Sequence, residues 1–294
     1  MTDLWSCIGA DIARATQAAF SMESRRAVGG GCINQAWVVE GGGRRWFVKV
    51  NQARAASMFT AEARGLREMA ASFTVRVPRV LCHGTAGDDA YLVLEHLTLR
   101  SGGPTAGRQL GRQLAAMHRC TGAAFGWCMD NTIGTTPQLN PPTADWVDFW
   151  RHQRLGHQLE LAAASGYDKA LAGGRRLLEL LPRFFDGYTP APSLLHGDLW
   201  SGNWGEDRHG RPVVFDPAVY YGDREADIAM TELFGGFGSE FYAAYRDESP
   251  LDPGYPARRR LYNLYHILSH LNLSGGGYLS KAQQLIQGLL AELG

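Results

Sequence analysis

LLHGDLWSGN occupies residues 194–203, and VVFDPAVYYGDREADIAM follows at 213–230. The first stretch contains H-x-D-x-x-x-x-N, running from His196 through Asp198 to Asn203, and in the second an apolar run delivers Asp216 into Asp-Pro-Ala. An aspartate that accepts the proton of an incoming hydroxyl, followed five residues on by an asparagine that ligates a metal, has this spacing. A carboxylate carried out of a strand is the oxygen donor that a hard divalent ion takes. The structural alternative is that Asp198 and Asn203 close turns through local side-chain to backbone bonds.

Phosphoryl transfer needs few further parts: backbone donors for phosphate oxygens, a cation on the phosphates, and a partner that holds that cation. The stretch VGGGCINQA, residues 28–36, offers Gly29, Gly30 and Gly31, whose bare backbone can approach phosphates closely. It matches neither G-x-G-x-x-G nor the Walker pattern, so a glycine hairpin turn competes with it. Lys49 lies in RRWFVKV among apolar neighbours and reads as a strand residue. In FTAEARGLREMAA, residues 59–71, helical spacing puts Phe59, Ala63, Leu66, Met69 and Ala70 on one face, with Glu62 beside that stripe and Glu68 opposite it. Glu62 is therefore the expected partner of Lys49. A lysine snorkelling from a strand end is the alternative.

The chain has 294 residues, 45% hydrophobic and 20% charged, enough for one large domain or two smaller ones. Lys plus Arg and Asp plus Glu each number 29, so no net field favours nucleic acid or acidic membranes. No apolar run has the length of a bilayer span and the start lacks a signal-peptide pattern, which leaves the cytoplasm as the expected location. Five cysteines form no C-x-x-C pair, against a zinc knuckle or a secreted disulfide framework.

Apolar and β-branched segments alternate with glycine clusters up to AYLVLEHL at 90–97, after which SGGPTAG reads as a linker. The remainder carries long helical periodicities, interrupted by short extended segments and turns between 194 and 217, and it ends in two helices broken at Gly275–Gly277. The expected organisation is an α+β, bilobal chain: residues 1–97 form a small β-rich nucleotide-binding lobe, and residues 98–294 a larger, mainly helical catalytic and substrate lobe.

GGGCINQA, FVKVN, AEARGL, YLVLEHL, DNTIGTTPQ, LLHGDLWSGN, FDPAVYYGDREADIAM and LYHILSHLNLSGGGY together resemble the fructosamine/ketosamine kinase family, a branch of the aminoglycoside phosphotransferase and choline kinase group with a protein-kinase-like fold. The resemblance runs nearly end to end. It implies ATP and Mg²⁺ as cofactors, Asp198 as catalytic base, Asn203 and Asp216 as metal ligands, and Lys49 as the phosphate-binding lysine with Glu62 its partner. It also implies Glu95, His96 and Leu97 as the hinge that reads adenine through backbone groups. The implied reaction phosphorylates the 3-hydroxyl of fructosamine or ribulosamine adducts, free or protein-linked, in a deglycation role. Cys32 falls in the phosphate loop, where a lowered thiol pKa would permit a redox-sensitive disulfide between otherwise monomeric chains; a small buried side chain is the alternative.

A ketoamine keeps a cationic amine, which Asp223 or Glu225 would attract while Trp200, Trp204, Tyr220 or Tyr221 stack on its flat parts. Asp227 is expected to serve as a helix N-cap or as a buried brace for the loop carrying Asp198. Three other readings compete. A metal-dependent hydrolase would use His196, Asp198 and Asp216 as ligands, but leaves Lys49 and Glu62 unexplained. A non-catalytic binding module would normally have lost one of the charged residues. A kinase for another small alcohol, such as an aminoglycoside or choline, shares the general pattern. His266 and His270, one helical turn apart, have no acid beside them to complete a zinc site and are expected to pack.

Overall fold

The structure is a computed structural model that describes residues 3–29 and 33–293. Gly30, Gly31 and Cys32 lie outside the described residues, so the phosphate-loop and redox expectations placed on them have no structural counterpart below.

The N-terminal part is built on a five-stranded antiparallel sheet in the order β1-β2-β3-β5-β4. Its strands are β1 (Ser24–Val28), β2 (Gln35–Gly41), β3 (Arg44–Gln52), β4 (Val80–Ala86) and β5 (Asp89–Glu95). Helix α1 (Leu4–Thr16) covers one face, and α2 (Ala56–Ala71) covers the other. Alternation along β3 explains why both faces are filled: Trp46, Val48 and Val50 join Ile8 and Ile12 of α1, whereas Phe47 packs with the core that contains Phe59, Leu66 and Met69 of α2. Lys49 falls in the register of Phe47. A slip of one residue would drive its ammonium into the apolar layer under α1.

After β5 the chain crosses to a mainly helical part. Helix α3 (Pro104–His118) is followed by the hairpin β6 (Asn131–Ile133) and β7 (Thr136–Gln138), and then by α4 (Trp146–Phe149), α5 (His157–Ala162) and α6 (Gly173–Leu180). Two short ladders follow, β8 (Ser193–Leu195) with β11 (Tyr220–Gly222), and β9 (Trp204–Glu206) with β10 (Pro212–Val214). Helices α7 (Arg224–Leu233), α8 (Ser239–Glu248), α9 (Tyr255–Ser274) and α10 (Leu279–Leu293) close the fold. The break between the last two helices falls at Gly275–Tyr278, as the glycine run predicts. The core here is aromatic: Trp146, Phe149 and Trp150 pack with Tyr262 and Tyr265 of α9.

Helix α2 gives Ser57 and Arg64 to solvent on the side opposite its apolar stripe, but not Glu68. Gly65 meets Val219, whose side chain would lie 2.8 Å from any added Cβ, and Glu68 accepts hydrogen bonds from the Trp127 indole N–H and the Tyr221 hydroxyl, each at 2.8 Å. Glu68 therefore points at the helical part, not at water. A helix wedged between a sheet and a second core has two buried sides, which one apolar stripe cannot reveal.

Among the described residues, no helix is long and apolar enough to cross a membrane. Helix α3 crosses α8 so closely that a Cβ on Gly111 would stand 2.4 Å from the Phe241 carbonyl oxygen and 3.0 Å from the Tyr245 nitrogen. Because the obstacle is backbone, Gly111→Val is expected to destabilise the protein by about 3 kcal/mol, read as a lowered midpoint in urea at unchanged slope.

Candidate active site

The two short ladders assemble the site. Val214 pairs with Trp204, so Asn203, just before β9, meets Phe215 and Asp216, just after β10; the Phe215 N–H donates to the Asn203 carbonyl at 3.0 Å. Leu195 pairs with Tyr220, which brings the loop leaving β8 alongside the segment leaving Asp216. Gly197 has φ 81°, and a Cβ there would lie 2.1 Å from the Ala218 carbonyl oxygen, so only glycine lets the two segments approach this closely. Asp216 itself holds φ 56°, the left-handed region that non-glycine residues seldom occupy and that recurs at functional positions.

Lys49, Glu62, Asp198, Asn203 and Asp216 converge on one cleft. The Lys49 ammonium donates to Glu62 Oε1 at 2.7 Å and to Asp216 Oδ1 at 2.6 Å. Burial alone would pull the Lys49 pKa down, but the two carboxylates outweigh it and hold the ammonium firmly charged. Glu62 is nearly enclosed, with 10% of its side chain exposed, whereas Asp216 keeps 47% and so still presents an oxygen to the cleft.

Asn203 Nδ2 donates to the Asp198 carbonyl at 2.8 Å and to Asp198 Oδ2 at 3.2 Å. This orients the amide so that Oδ1 is turned away from Asp198 and has no hydrogen-bond donor among the described residues. Burial and then the Asp216 charge push the Asp198 carboxyl up to about 7, against the pull of the Asn203 amide. Two carboxylates facing each other with an amide oxygen beside them are a hard oxygen donor set that suits Mg²⁺. Among the described residues no group of three His, Cys, Asp or Glu side chains could hold a metal alone.

Behind these groups lies a fully engaged polar layer. The Asp227 carboxylate accepts from the main-chain N–H groups of His196 at 2.7 Å and Gly197 at 2.8 Å, and from His118 Nε2 at 3.2 Å. Asp223, not Asp227, is the N-cap of α7, and Asp227 is the brace of the loop that carries Asp198. His196 is fully buried; its Nε2 donates to the Phe215 carbonyl at 3.0 Å, and its Nδ1 faces the Asp198 N–H at 3.3 Å. Both ring nitrogens are thus occupied, which overturns the hydrolase reading in which His196 ligates a metal.

The hairpin of β6 and β7 secures the chain after Asp216. Asn131 Nδ2 donates to the Val219 carbonyl, and Gln138 Nε2 donates to the Ala218 carbonyl and to Asn131 Oδ1. The sequence reading assigned these amides no role. Their signal was present in the polar run DNTIGTTPQLN between helical patterns.

Several expected acceptor residues are not in the cleft. Asp223 is fully buried and accepts from the Tyr188 and Tyr262 hydroxyls, and Glu225 is fully buried against Arg258 at 2.7 Å. Neither carboxylate is free for a cationic amine, a correction that follows from their use as internal anchors of α7. Tyr220 is core, with the Arg154 guanidinium 4.1 Å from its ring, and Tyr221 is tied to Glu68. The Trp204 ring stacks on Phe237. Of these aromatics Trp200 alone remains open, 38% exposed and edge-on to Phe234.

Gly29 is exposed at the end of β1 with open space around it. At the other side of the cleft, the Glu95 side chain is spent on Arg76 and on the Arg79 N–H. His96 and Leu97 leave the sheet, and among the described residues their main-chain groups have no backbone partner. His266 is buried with its imidazole pushed down to about 3 by burial, and His270 packs between Phe234 and Tyr278, so both are packing residues.

A sheet-rich N-terminal part, a helical C-terminal part and charged groups gathered from both define a protein-kinase-like fold. The same fold is seen in an aminoglycoside phosphotransferase in complex with AMP-PNP and hygromycin B (TM-score 0.64, 17% identity, 92% of this chain and 94% of that one). The chain belongs to the fructosamine kinase family, whose sequence profile matches residues 4–292. A Synechocystis protein named "Probable ketoamine kinase" is 48% identical over 290 residues, covering 97% of each chain. The protein-ribulosamine 3-kinase of Oryza sativa subsp. japonica is 43% identical over 275 residues, 91% of this chain and 79% of that one. Among solved structures, a Haemophilus somnus protein carrying the provisional name fructosamine-3-kinase superposes with TM-score 0.90 at 29% identity, covering 97% of both chains.

Asp227→Ala would strand two buried N–H groups beside Asp198 and is expected to cost about 2–5 kcal/mol in urea unfolding. Burial would raise the Asp227 pKa, but the His118 hydrogen bond and charge outweigh it and hold the group below the usual range. Its stabilisation is thus fully present above the unfolded carboxylate pKa of about 4 and is lost as pH falls through the folded value. The gap between wild type and variant should narrow on acidification below that point.

Proposed function

We propose that the protein is an ATP- and Mg²⁺-dependent kinase that phosphorylates the 3-hydroxyl of ketosamines, fructosamine or ribulosamine adducts, and so serves deglycation. The observation that carries the reading is the convergence of Lys49, Glu62, Asp198, Asn203 and Asp216 in one cleft, within a chain of the fructosamine kinase family. The names of the Synechocystis and rice relatives support the ketosamine as acceptor over another small alcohol.

In this reading residues 1–97 and 98–294 act as nucleotide-binding and catalytic lobes, with the unpaired main chain of His96 and Leu97 facing adenine. The Lys49 ammonium neutralises phosphate oxygens, and Glu62 keeps it from collapsing wholly onto Asp216. Asp216 and the turned-out Asn203 Oδ1 would hold Mg²⁺, which when bound would neutralise charge on the transferring phosphoryl group. Asp198 takes the proton of the sugar hydroxyl, and the Asp227 brace keeps the loop carrying it in place, so little reorganisation accompanies the transfer. Trp200 is the aromatic surface offered to the acceptor. The odd cysteine count and the unpaired thiols of Cys7, Cys82, Cys120 and Cys128 suit a reducing compartment such as the cytoplasm.

The test is ATP consumption measured with ribulosamine, fructosamine, aminoglycoside and choline acceptors. Turnover is expected on the sugar amines, and Asp198→Ala should lower kcat by about 10²–10⁴-fold while leaving the fold intact. Turnover confined to choline or an aminoglycoside overturns the substrate, and full activity of Asp198→Ala overturns the mechanism.

A further inference from the structure

Arg154 is a buried cation for which the reaction described above has no use. It lies in the π-helical stretch Trp150–Gly156 between α4 and α5, and its side chain is fully buried. Wide helical turns of this kind recur at functional positions. Its hydrogen bonds go to neutral groups: Nη1 donates to the Leu139 and Gln153 carbonyls at 2.7 and 3.0 Å, and Nη2 to Asn140 Oδ1 at 2.6 Å. The rings of Phe149 and Tyr220 lie 4.6 and 4.1 Å from the guanidinium carbon. None of these partners is a carboxylate. An apolar side chain of similar length would fill the space between the rings at a smaller desolvation cost, so packing does not account for the charge.

What the guanidinium supplies is direction. It can only donate, so Asn140 must turn Oδ1 toward it and Nδ2 away, to Asn131 Oδ1 and the Met129 carbonyl, each at 3.1 Å. Tyr265 acts in the same way on Gln138. Its hydroxyl donates to Gln138 Oε1 at 2.7 Å, which leaves Nε2 to donate to Asn131 Oδ1 at 2.7 Å and to the Ala218 carbonyl at 3.3 Å. With two donors on its oxygen, Asn131 has Nδ2 aimed at the Val219 carbonyl, 2.7 Å away. Turning any of these amides over would set oxygen against oxygen and leave buried acceptors unpaired. The ladder therefore runs one way, from Arg154 to the carbonyls just past Asp216. Through the Tyr220 ring, Arg154 touches the same segment a second time.

We propose that Arg154 is a positioning residue for Asp216: by fixing the direction of the amide ladder through Asn140, Asn131 and Gln138, it holds the chain beyond Asp216 so that the carboxylate stays in the cleft. The left-handed Asp216 backbone is kept in the same way, from the side of Ala218 and Val219. The proposal rests on the kinase reading above for what the carboxylate binds, and on the hydrogen bonds alone for what holds it in place.

Two variants break the ladder at different points. Arg154→Met removes the donors and keeps an unbranched side chain between the rings. Asn140→Asp keeps the contact to Arg154 and adds charge to it, but puts an acceptor where Nδ2 faces Asn131 Oδ1. Both are read by hydrogen–deuterium exchange of the protein without nucleotide, and by affinity for AMP-PNP measured once with Mg²⁺ and once with EDTA. In each variant, exchange at residues 216–221 is expected to quicken about tenfold while β3 and β5 exchange as in the wild type. Affinity should fall about tenfold with Mg²⁺ and stay unchanged with EDTA. Wild-type exchange at 216–221 in Asn140→Asp would reduce Arg154 to a packing residue and overturn the proposal, and so would equal affinity changes with Mg²⁺ and with EDTA. If the wild type binds no AMP-PNP in either condition, the kinase reading fails on its own, and exchange at 216–221 decides the proposal. Should Arg154→Met not fold, Asn140→Asp carries the whole test.

Discussion

The ammonium of Lys49 is held between two carboxylates that come from opposite parts of the chain, Glu62 on α2 and Asp216 after β10. A buried cation without partners would lose its proton or its place, because desolvation in a low-dielectric interior costs more than one weak contact returns. The pairing therefore fixes three elements relative to one another: the register of β3, the rotation of α2 about its axis, and the position at which the strand before Asp216 ends. Glu68 and Gly65 reinforce this from the far side of α2, tying it to Trp127, Tyr221 and Val219. The lysine and its partner are consequently set against the helical part as one piece.

A second polar layer protects that arrangement. Asp227 holds two main-chain N–H groups of the loop before Asp198, neutral His196 spans from that loop to Phe215, and the amides of Asn131 and Gln138 hold the carbonyls of Ala218 and Val219. Each group has its partner, and a satisfied buried network of this kind is rigid where a partly satisfied one is costly. It also explains how Asp216 keeps a left-handed backbone: the residues on both sides are anchored by bonds that do not depend on Asp216 itself.

The use of acidic residues is divided by depth. Asp198 and Asp216 face the cleft, where burial and then the Asp216 charge raise the Asp198 pKa. Asp223, Glu225 and Asp227 are buried and spend their oxygens on Tyr188, Tyr262, Arg258, His118 and the main chain. These acids thus separate into a pair at the cleft, Asp198 and Asp216, and three structural anchors, Asp223, Glu225 and Asp227, a division made by packing.

Much of this was legible in the order of residues. The spacing of Asp198 and Asn203 on one loop, and the apolar run that delivers Asp216, marked these three residues, and helical periodicity turned Glu62 toward Lys49 because adjacent positions on a helix differ by about 100°. Glycine punctuation marked the strands and the break before the last helix. Other features depend on neighbours distant in the chain, and no local pattern encodes those. That Glu68 meets Trp127, that Asp223 and Glu225 are withdrawn from solvent, and that Tyr220 is core while Trp200 is open were decided when the sheet and the helices packed. A sequence states which side chains are available at which interval; only the fold determines which of them lose water, and with it their freedom to act.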